Sequence, residues 1–172
     1  NEVFNISAHK SSQAVRIYQL IDSLTIHNYI RAGSCLDVGT GPGFPGLPLA
    51  ILLPNTEFIL LDSNKKKLAF AQHMISKLNL KNIRIEHTRI EKFQISYPIN
   101  QIISRAFSDL NGILNVAESI LDINGRILAM KGPQIENEIR RAKTRRPSLT
   151  VTVNKLPHVV DEQRILAVVE FK

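Results

Sequence analysis

The chain of 172 residues is predicted to form one α/β domain, a mostly parallel seven-stranded sheet with an antiparallel C-terminal strand. Two features of the sequence predict this class. Short β-rich runs alternate with helical patterns through five rounds, as in parallel sheets that carry helices on both faces. The last two β-rich runs are joined by only seven residues, PHVVDEQ, too few for a crossover helix. We therefore expect those two strands to pair antiparallel.

Three strands and three helices are predicted in the first half of the chain. Apolar residues at helical spacing predict a helix over 11–30 that ends before Gly33. A glycine-rich loop opens the second helix, and Ser63 or Asn64 is suited to cap the third. In chain order, the other elements are a strand at 35–38, a helix at 47–53, a strand at 56–61, a helix at 64–78 and a strand at 83–87.

Four strands and two helices are predicted in the second half. Asp109 is suited to cap a helix whose apolar face reaches Leu121 and which Asn124-Gly125 ends. Pro147 stops the following helix. In chain order, the predicted elements are a strand at 101–104, a helix at 110–121, a strand at 126–130, a helix at 134–144 and strands at 149–156 and 164–171.

Composition and charge restrict the class of protein and its partners. The net charge of +7 suits a polyanionic partner such as nucleic acid. The single cysteine, Cys35, lies in an apolar strand and is predicted to be a buried thiol, as is usual in the reducing cytosol. No apolar run approaches the ~20 residues of a membrane span.

We divide the domain into an N-terminal helical segment, residues 1–33, and a core, residues 34–172. Because the first residue is Asn1, we expect a further helical extension to precede it.

A glycine-rich loop with glycine at positions 39, 41, 43 and 46 follows the first predicted strand of the core. Glycine has no Cβ, so a nucleotide-like ligand can lie against the backbone amide groups of such a loop. From Gly41 the loop matches the G-x-G-x-x-G pattern of dinucleotide-binding folds. From Asp37 it matches the acidic-x-G-x-G-x-G pattern of methyltransferases that use S-adenosylmethionine. Both interpretations stay open on the pattern alone.

Three details favour the methyltransferase interpretation. The predicted strand ends at Val38, so the turn begins before the dinucleotide pattern would start. Pro42 and Pro45 lack the N–H groups that a pyrophosphate needs. The carboxylate of Asp37 suits the ammonium and sulfonium groups of S-adenosylmethionine and opposes a diphosphate. Asp62, at the carboxyl end of the second core strand, is placed to accept hydrogen bonds from ribose hydroxyls, or else to cap a helix.

The nature of the acceptor atom is indicated by what the sequence lacks. It has no Asn/Asp-Pro-Pro-Tyr/Phe run for methylation of an exocyclic amine, and no His/Cys cluster with metal-ligand spacing. The acceptor is therefore expected to be an atom that is already nucleophilic, such as N7 of guanine. Transfer to such an atom requires mainly in-line placement of the reactants, so we assign no general base.

A set of segments spread over almost the whole chain carries a resemblance to a known family: residues 5–7, 22–24, 37–46, 48, 60–63, 89–91, 103–107 and 131–132. With these segments the sequence resembles the RsmG (GidB) family of bacterial methyltransferases. That resemblance implies a Rossmann-like class I S-adenosylmethionine-dependent methyltransferase of the cytoplasm, acting on N7 of a guanine in 16S ribosomal RNA or in the small ribosomal subunit. We expect no metal ion and no membrane as partner, and a monomer is favoured.

The resemblance also implies which residues form the site. Gln19 stands where many relatives carry a histidine, and the N-terminal helical region typical of the family is largely absent. Lys66, Arg89 and Lys131 match basic positions that face the RNA or the active site. Together with the glycine-loop argument, the expected cofactor-binding residues are Asp37, Gly39, Gly41, Phe44, Asp62, Ser63, Ile90, Glu91 and Arg105.

Several alternatives remain at this stage. A small-molecule methyltransferase on the same fold, an NAD-dependent oxidoreductase and a non-catalytic RNA-binding protein would all retain a glycine loop. The basic run at 140–146 either follows an RNA backbone or is a solvated helix face.

Overall fold

A computed structural model describes residues 16–105, 108–157 and 163–171 of the chain, with the side chains of residues 16 and 17 left out. The motif at 5–7 and the first residues of the predicted N-terminal helix lie outside these ranges, as do residues 106–107 of the 103–107 run. No helix within the described ranges is long and apolar enough to cross a membrane.

The described strands form the predicted seven-stranded sheet, in the order β3-β2-β1-β4-β5-β7-β6. Strands β1 to β5 are parallel to one another, and β7 is antiparallel to both of its neighbours. The C-terminal strand therefore lies between β5 and β6, not at the edge. The bounds are β1 Gly33–Val38, β2 Thr56–Asp62, β3 Ile83–His87, β4 Ile99–Arg105, β5 Leu121–Lys131, β6 Thr150–Lys155 and β7 Ile165–Glu170.

Helices cover both faces of the sheet, as the alternating pattern predicted. The longer helices in the described ranges are α1 Gly46–Leu52, α2 Lys65–Lys77, α3 Leu110–Ala117 and α4 Ile135–Arg145. Helices α3 and α4 share one apolar cluster, whereas α1 and α2 pack in the cluster on the opposite face. The side chain of Asn64 caps α2 by accepting from the N–H groups of Lys66 and Lys67, and Asp109 caps α3.

The N-terminal segment differs from the continuous helix that was predicted to reach residue 30. Its described part is a π-helical turn at Arg16–Ile21, one α turn at Asp22–Leu24 and a 3₁₀ turn at His27–Tyr29. The Ser23 hydroxyl donates to the carbonyl of Gln19, and the Thr25 hydroxyl donates to that of Asp22. Hydroxyls bonded to backbone carbonyls in this way compete with the regular helical pattern.

The boundary between α3 and β5 was also predicted incorrectly. The helix ends at Ala117, and Leu121 already belongs to β5, where it pairs with Ile99. The register then shifts, so that the next pair is Gln101 with Arg126. Asn124 and Gly125 therefore belong to an irregular stretch within β5 and do not end a helix. No pair with β4 joins residues 122–125, and pairing continues on both sides of them, so the turn-like residues form a bulge inside the strand.

Candidate functional site

The glycine loop connects β1 to α1 at the carboxyl edge of the sheet. Gly39, Gly41 and Gly43 have φ values of 72°, 59° and 106°, which side chains with a Cβ rarely adopt. The N–H groups of Gly39 and Thr40 donate to the carbonyl of Leu61 in β2, at 2.9 and 3.1 Å. The loop is thereby attached to the end of the neighbouring strand, where open sheets bind their ligands.

Asp37 lies beneath the glycine loop and is fully buried. Its Oδ2 accepts from the hydroxyl of Thr40 at 2.6 Å and from the N–H of Gly46 at 2.8 Å. A Cβ on Gly46 would lie 2.4 Å from Leu60 Cδ2 and 2.8 Å from Asp37 Oδ2, so only glycine fits there. Through these bonds the Asp37 carboxyl group supports the loop from the core side, while its Oδ1 is buried and has no hydrogen-bond partner among the described residues.

Asp37 makes the stability of the fold depend on pH. Burial raises the pKa of Asp37 from 3.8 to about 6, while the hydrogen bonds from Thr40 and Gly46 and the charge of Arg105 oppose that rise. The folded state therefore binds this proton more tightly than the unfolded state does. The contribution of Asp37 to stability is then greatest below about pH 4 and falls by about 3 kcal/mol as the pH rises through 6.

We expect the Asp37→Asn variant to lose this pH dependence, because its amide cannot ionise. The free energy of unfolding of the variant minus that of the wild type, from urea titrations between pH 4 and pH 7, is expected to increase with pH by about 3 kcal/mol. Subtracting the two proteins removes the contribution of the other carboxyl groups. A constant difference across that range would show that Asp37 titrates normally.

Asp62 ends β2 and connects the loop to the start of α2. Its Oδ2 accepts from the N–H of Gly41 at 2.8 Å, and its Oδ1 accepts from the N–H of Asn64 at 2.7 Å. Because Asn64 caps the helix, Asp62 is not the N-cap residue. Each carboxylate oxygen keeps a further lone pair for a ligand.

A first cleft of about 380 Å³ opens beside Asp62. It brings together several of the predicted residues: the backbone of Gly39, the end of β2 and the turn after β3. Buried Ile90 gives it an apolar wall, and Asp62 and Glu91 give it hydrogen-bond acceptors. This combination suits a nucleoside, with a base against the apolar wall and ribose hydroxyls at a carboxylate. The lining residues are Gly39, Leu61, Asp62, Ser63, Lys67, Thr88, Arg89, Ile90 and Glu91.

A second cleft of about 460 Å³ lies on the other side of the loop and shares Gly39 and Lys67 with the first. Among its described lining residues are four cationic side chains and no carboxylate, imidazole or thiol. It can therefore bind an anionic or electron-rich ligand, and it offers no ordinary general base. The lining residues are Tyr18, Gln19, Gly39, Thr40, Gly41, Pro42, Phe44, Lys67, Arg105, Met130, Lys131, Gly132 and Arg164.

Two arginines of the second cleft are held by one buried carboxylate. Arg105 Nη1 lies 3.1 Å from Asp22 Oδ2, and Arg164 Nε lies 3.3 Å from Asp22 Oδ1. The guanidinium carbon of Arg105 lies 5.8 Å from the ring centroid of Phe44, and that of Arg164 lies 5.0 Å from that of Tyr18. Both distances are within the range of cation–π attraction.

The three basic residues predicted to face the RNA occupy different environments. Arg89 is exposed and lines the first cleft. Lys131 lines the second cleft, but its ammonium donates to Glu138 at 2.9 Å and to the carbonyl of Ser108. Lys66 is exposed and lines neither cleft, whereas its neighbour Lys67 lines both.

Tyr18, Lys67 and Arg164 are cleft residues that the sequence interpretation did not single out. Lys67 could have been found from its place in the first turn of the helix after β2. Tyr18 and Arg164 belong to segments far apart in the chain, and no local pattern connects either of them with the glycine loop. Cys35 is buried, as predicted.

Comparison with known proteins identifies relatives over most of the chain. A family model described as GidB, rRNA small subunit methyltransferase G, matches residues 1–167. The ribosomal RNA small subunit methyltransferase G of Pseudomonas fluorescens (strain Pf0-1) is 40% identical over 139 residues, which are 81% of this chain and 65% of that protein. The protein of the same name from Haemophilus influenzae (strain PittGG) is 31% identical over 166 residues, 96% of this chain and 82% of that protein. The chain therefore spans just under two thirds of the length of the Pseudomonas relative.

Solved structures agree with the fold. The ribosomal protein L11 methylase from Lactobacillus delbrueckii subsp. bulgaricus superposes with a TM-score of 0.69 and 14% sequence identity, over 95% of this chain and 81% of that chain. At this level of identity the likeness is one of fold. It confirms the predicted Rossmann-like α/β architecture.

Proposed function

Because the chain belongs to the GidB family, rRNA small subunit methyltransferase G, we propose that it transfers a methyl group from S-adenosylmethionine to N7 of a guanine in 16S ribosomal RNA. The observation that carries the proposal is the pair of clefts that meet at Gly39. One has the features of a nucleoside site, and the other is cationic and has no described general base.

The cofactor of the chain is S-adenosylmethionine, as its membership of a methyltransferase family indicates. The residues present fit this group, since the loop glycines keep positive φ values and the first cleft combines an apolar wall with the Asp62 carboxylate. When bound, the cofactor supplies an activated methyl group on a sulfonium. We propose that the ribose is bound by Asp62 and Ser63, and the adenine by Ile90 and Glu91. The rest of the S-adenosylmethionine molecule is proposed to contact Gly39, Gly41, Phe44 and Arg105. Asp37 supports the loop through its Oδ2, and we propose that its carboxyl group also faces the positively charged groups of the cofactor.

The second cleft supports a ring nitrogen as the acceptor. N7 of guanine carries a lone pair and needs no deprotonation before it attacks a methyl group. The protein must then mainly orient the base, and the arginines and aromatic rings of the second cleft can do so by stacking and by binding phosphate. Lys67, Arg89 and Arg164 are proposed to face the RNA. The small ribosomal subunit is the proposed partner, and the cytoplasm the proposed location.

Radiolabelled methyl transfer to ribosomal RNA from cells that lack the enzyme tests this proposal. The label is expected in 16S RNA and, after digestion, in 7-methylguanosine. Label in another nucleoside would overturn the N7 assignment, and no label in RNA would favour a small-molecule acceptor or a non-catalytic RNA-binding protein. Calorimetry with S-adenosylmethionine and with NAD separates the enzyme classes, because binding of NAD alone would favour an oxidoreductase.

The basic run at 140–146 is proposed to bind the RNA backbone. Most of it lies on α4, where Arg140, Arg141, Lys143 and Arg145 are exposed. Arg146 instead donates to Glu118 at 2.5 Å and to Asn115 at 2.8 Å. The exposed positions are free of these contacts and are available to phosphates.

We expect the double variant Arg141→Ala, Arg145→Ala to bind RNA with a weaker dependence on salt. Log of the RNA association constant falls with log of the salt concentration, and each lost phosphate contact reduces the steepness of this line by roughly 0.7 to 0.9. Loss of two contacts is therefore expected to reduce it by about 1.4 to 1.8. Filter binding of 16S RNA at KCl concentrations from about 50 to about 200 mM measures this slope. The matched control is Lys77→Ala, Lys81→Ala, which removes two exposed lysines, one at the last residue of α2 and one in the segment between α2 and β3. Equal slopes for both double variants would exclude a role for α4.

A further inference from the structure

The carboxylate of Asp22 is the only group among the described residues that is ion-paired to two arginines of the second cleft. The Asp22 side chain is 1% exposed, and the side chains of Arg105 and Arg164 are 16% and 21% exposed. Burial lowers the pKa of Arg164. Ion pairs in such surroundings are screened little and have defined geometry.

The two arginines lie at the ends of two strands that are not neighbours in the sheet. Arg105 ends β4 and pairs with Met130 of β5, whereas Arg164 immediately precedes β7, whose Ile165 pairs with Lys131 of β5. Strand β5 therefore lies between them, and neighbouring strands are about 4.8 Å apart. Asp22 bridges the carboxyl edge of the sheet across that strand.

Two further side chains, from the π-helical turn that directly precedes Asp22, contact these arginines. The Gln19 amide oxygen accepts from Arg105, and the Tyr18 ring lies under Arg164. A π-helical turn is a geometry that occurs frequently at functional sites. Residues 18–22 thus hold both guanidinium groups, each of which lies over an aromatic ring of the cleft.

We propose that Asp22 is a positioning residue that holds Arg105 on the cofactor side and Arg164 on the acceptor side of the second cleft. The inference rests on the proposed function, which it deepens. The cleft then has its active shape only while the N-terminal turn is docked, because the same carboxylate fixes both sides. Asp22 itself does not line the cleft and does not touch the reactants.

The test is methyl transfer to 16S RNA by the full chain with Asp22→Asn and Asp22→Glu. Asp22→Glu keeps the charge and displaces the carboxylate by one methylene, so it tests geometry in a protein that still forms ion pairs. We expect both variants to lose on the order of 100-fold in kcat/KM for RNA, the loss typical of small misplacements at a reacting centre. The dissociation constant for S-adenosylhomocysteine is expected to increase severalfold through Arg105. Wild-type kcat/KM in Asp22→Glu would overturn the inference.

A double-mutant cycle separates positioning from simple support of the fold. If Asp22 acts through Arg164, the Arg164→Lys substitution has a large effect in the wild type and little further effect in Asp22→Glu. Multiplicative losses in the double variant would contradict the proposal. Melting temperatures of all variants identify any effect that follows from unfolding alone.

The matched control is Glu170→Gln. It breaks the ion pair between Glu170 and Arg31, whose charged atoms lie 3.4 Å apart. This pair also connects the N-terminal segment with β7, but its side chains are 41% and 59% exposed and neither residue lines a cleft. We expect wild-type kcat/KM. If the wild-type enzyme labels no RNA, the proposed function fails. The affinity of Asp22→Glu for S-adenosylhomocysteine still tests whether Asp22 positions Arg105. An unchanged affinity would show that Asp22 does not position Arg105.

Discussion

The Gly39→Val variant is expected to bind S-adenosylmethionine on the order of 100-fold more weakly than the wild type. Gly39 has a φ of 72°, where a β-branched residue is strained by about 1–3 kcal/mol. Gly39 also lines both clefts, so the strained backbone lies where the proposed nucleoside site meets the proposed acceptor site. Displacement of its N–H from the carbonyl of Leu61 would detach the loop from β2. Isothermal titration calorimetry measures the dissociation constant.

A graded series strengthens this prediction. Gly39→Ala adds one methyl group without branching, and its affinity is expected to lie between those of the wild type and Gly39→Val. The melting temperature shows whether weak binding reflects a local change or loss of the fold. Wild-type affinity in a folded Gly39→Val variant would mean that the loop does not contact the cofactor.

The Asp62→Ala variant is expected to lose about 1–3 kcal/mol of cofactor binding, a factor of roughly 5 to 150 in the dissociation constant. The substitution removes the proposed acceptor for the ribose hydroxyls. It also leaves the N–H groups of Gly41 and Asn64 without the carboxylate that accepts from them at 2.8 and 2.7 Å. The same calorimetric titration measures the loss.

The control for Asp62 is Asn64→Ala, two residues along the chain. Asn64 caps α2, so its replacement is expected to lower stability by about 0.5–2 kcal/mol while the carboxylate of Asp62 stays in place. We therefore expect a lower melting temperature with nearly unchanged cofactor affinity. If Asp62→Ala instead behaved like Asn64→Ala, the role of Asp62 would be limited to organising the loop.

Most of the fold could be predicted because its signals are local. Short apolar and β-rich runs located the strands of the sheet, and residues 83–87 were predicted with the observed bounds. The errors arose where tertiary contacts override local preference. Asn124-Gly125 has the composition of a turn, yet it forms a bulge inside β5, between residues that pair with β4 on either side. The N-terminal segment has helical spacing, yet side-chain bonds to its own carbonyls change its winding.

The candidate site was predictable to the extent that it follows the ends of strands. Gly39 and Asp62 were expected because each comes at the end of a predicted strand, and Ile90 because the family resemblance implied it; the structure places all three along one cleft. The burial of Asp37 was not expected, since a motif gives a residue's place in the chain but not its depth. Arg164 was not found, because its neighbours in the cleft are distant in sequence.

The sequence by itself determined the fold class, the position of the glycine loop and the resemblance to a methyltransferase family. These depend on residue type and spacing along the chain, which hydrophobic periodicity and the lack of a Cβ convert directly into structure. Only the tertiary structure decided that β7 lies between β5 and β6, that Asp37 supports the loop and that Asp22 holds two arginines together. Those features depend on which distant segments meet at the carboxyl edge of the sheet, and packing determines that.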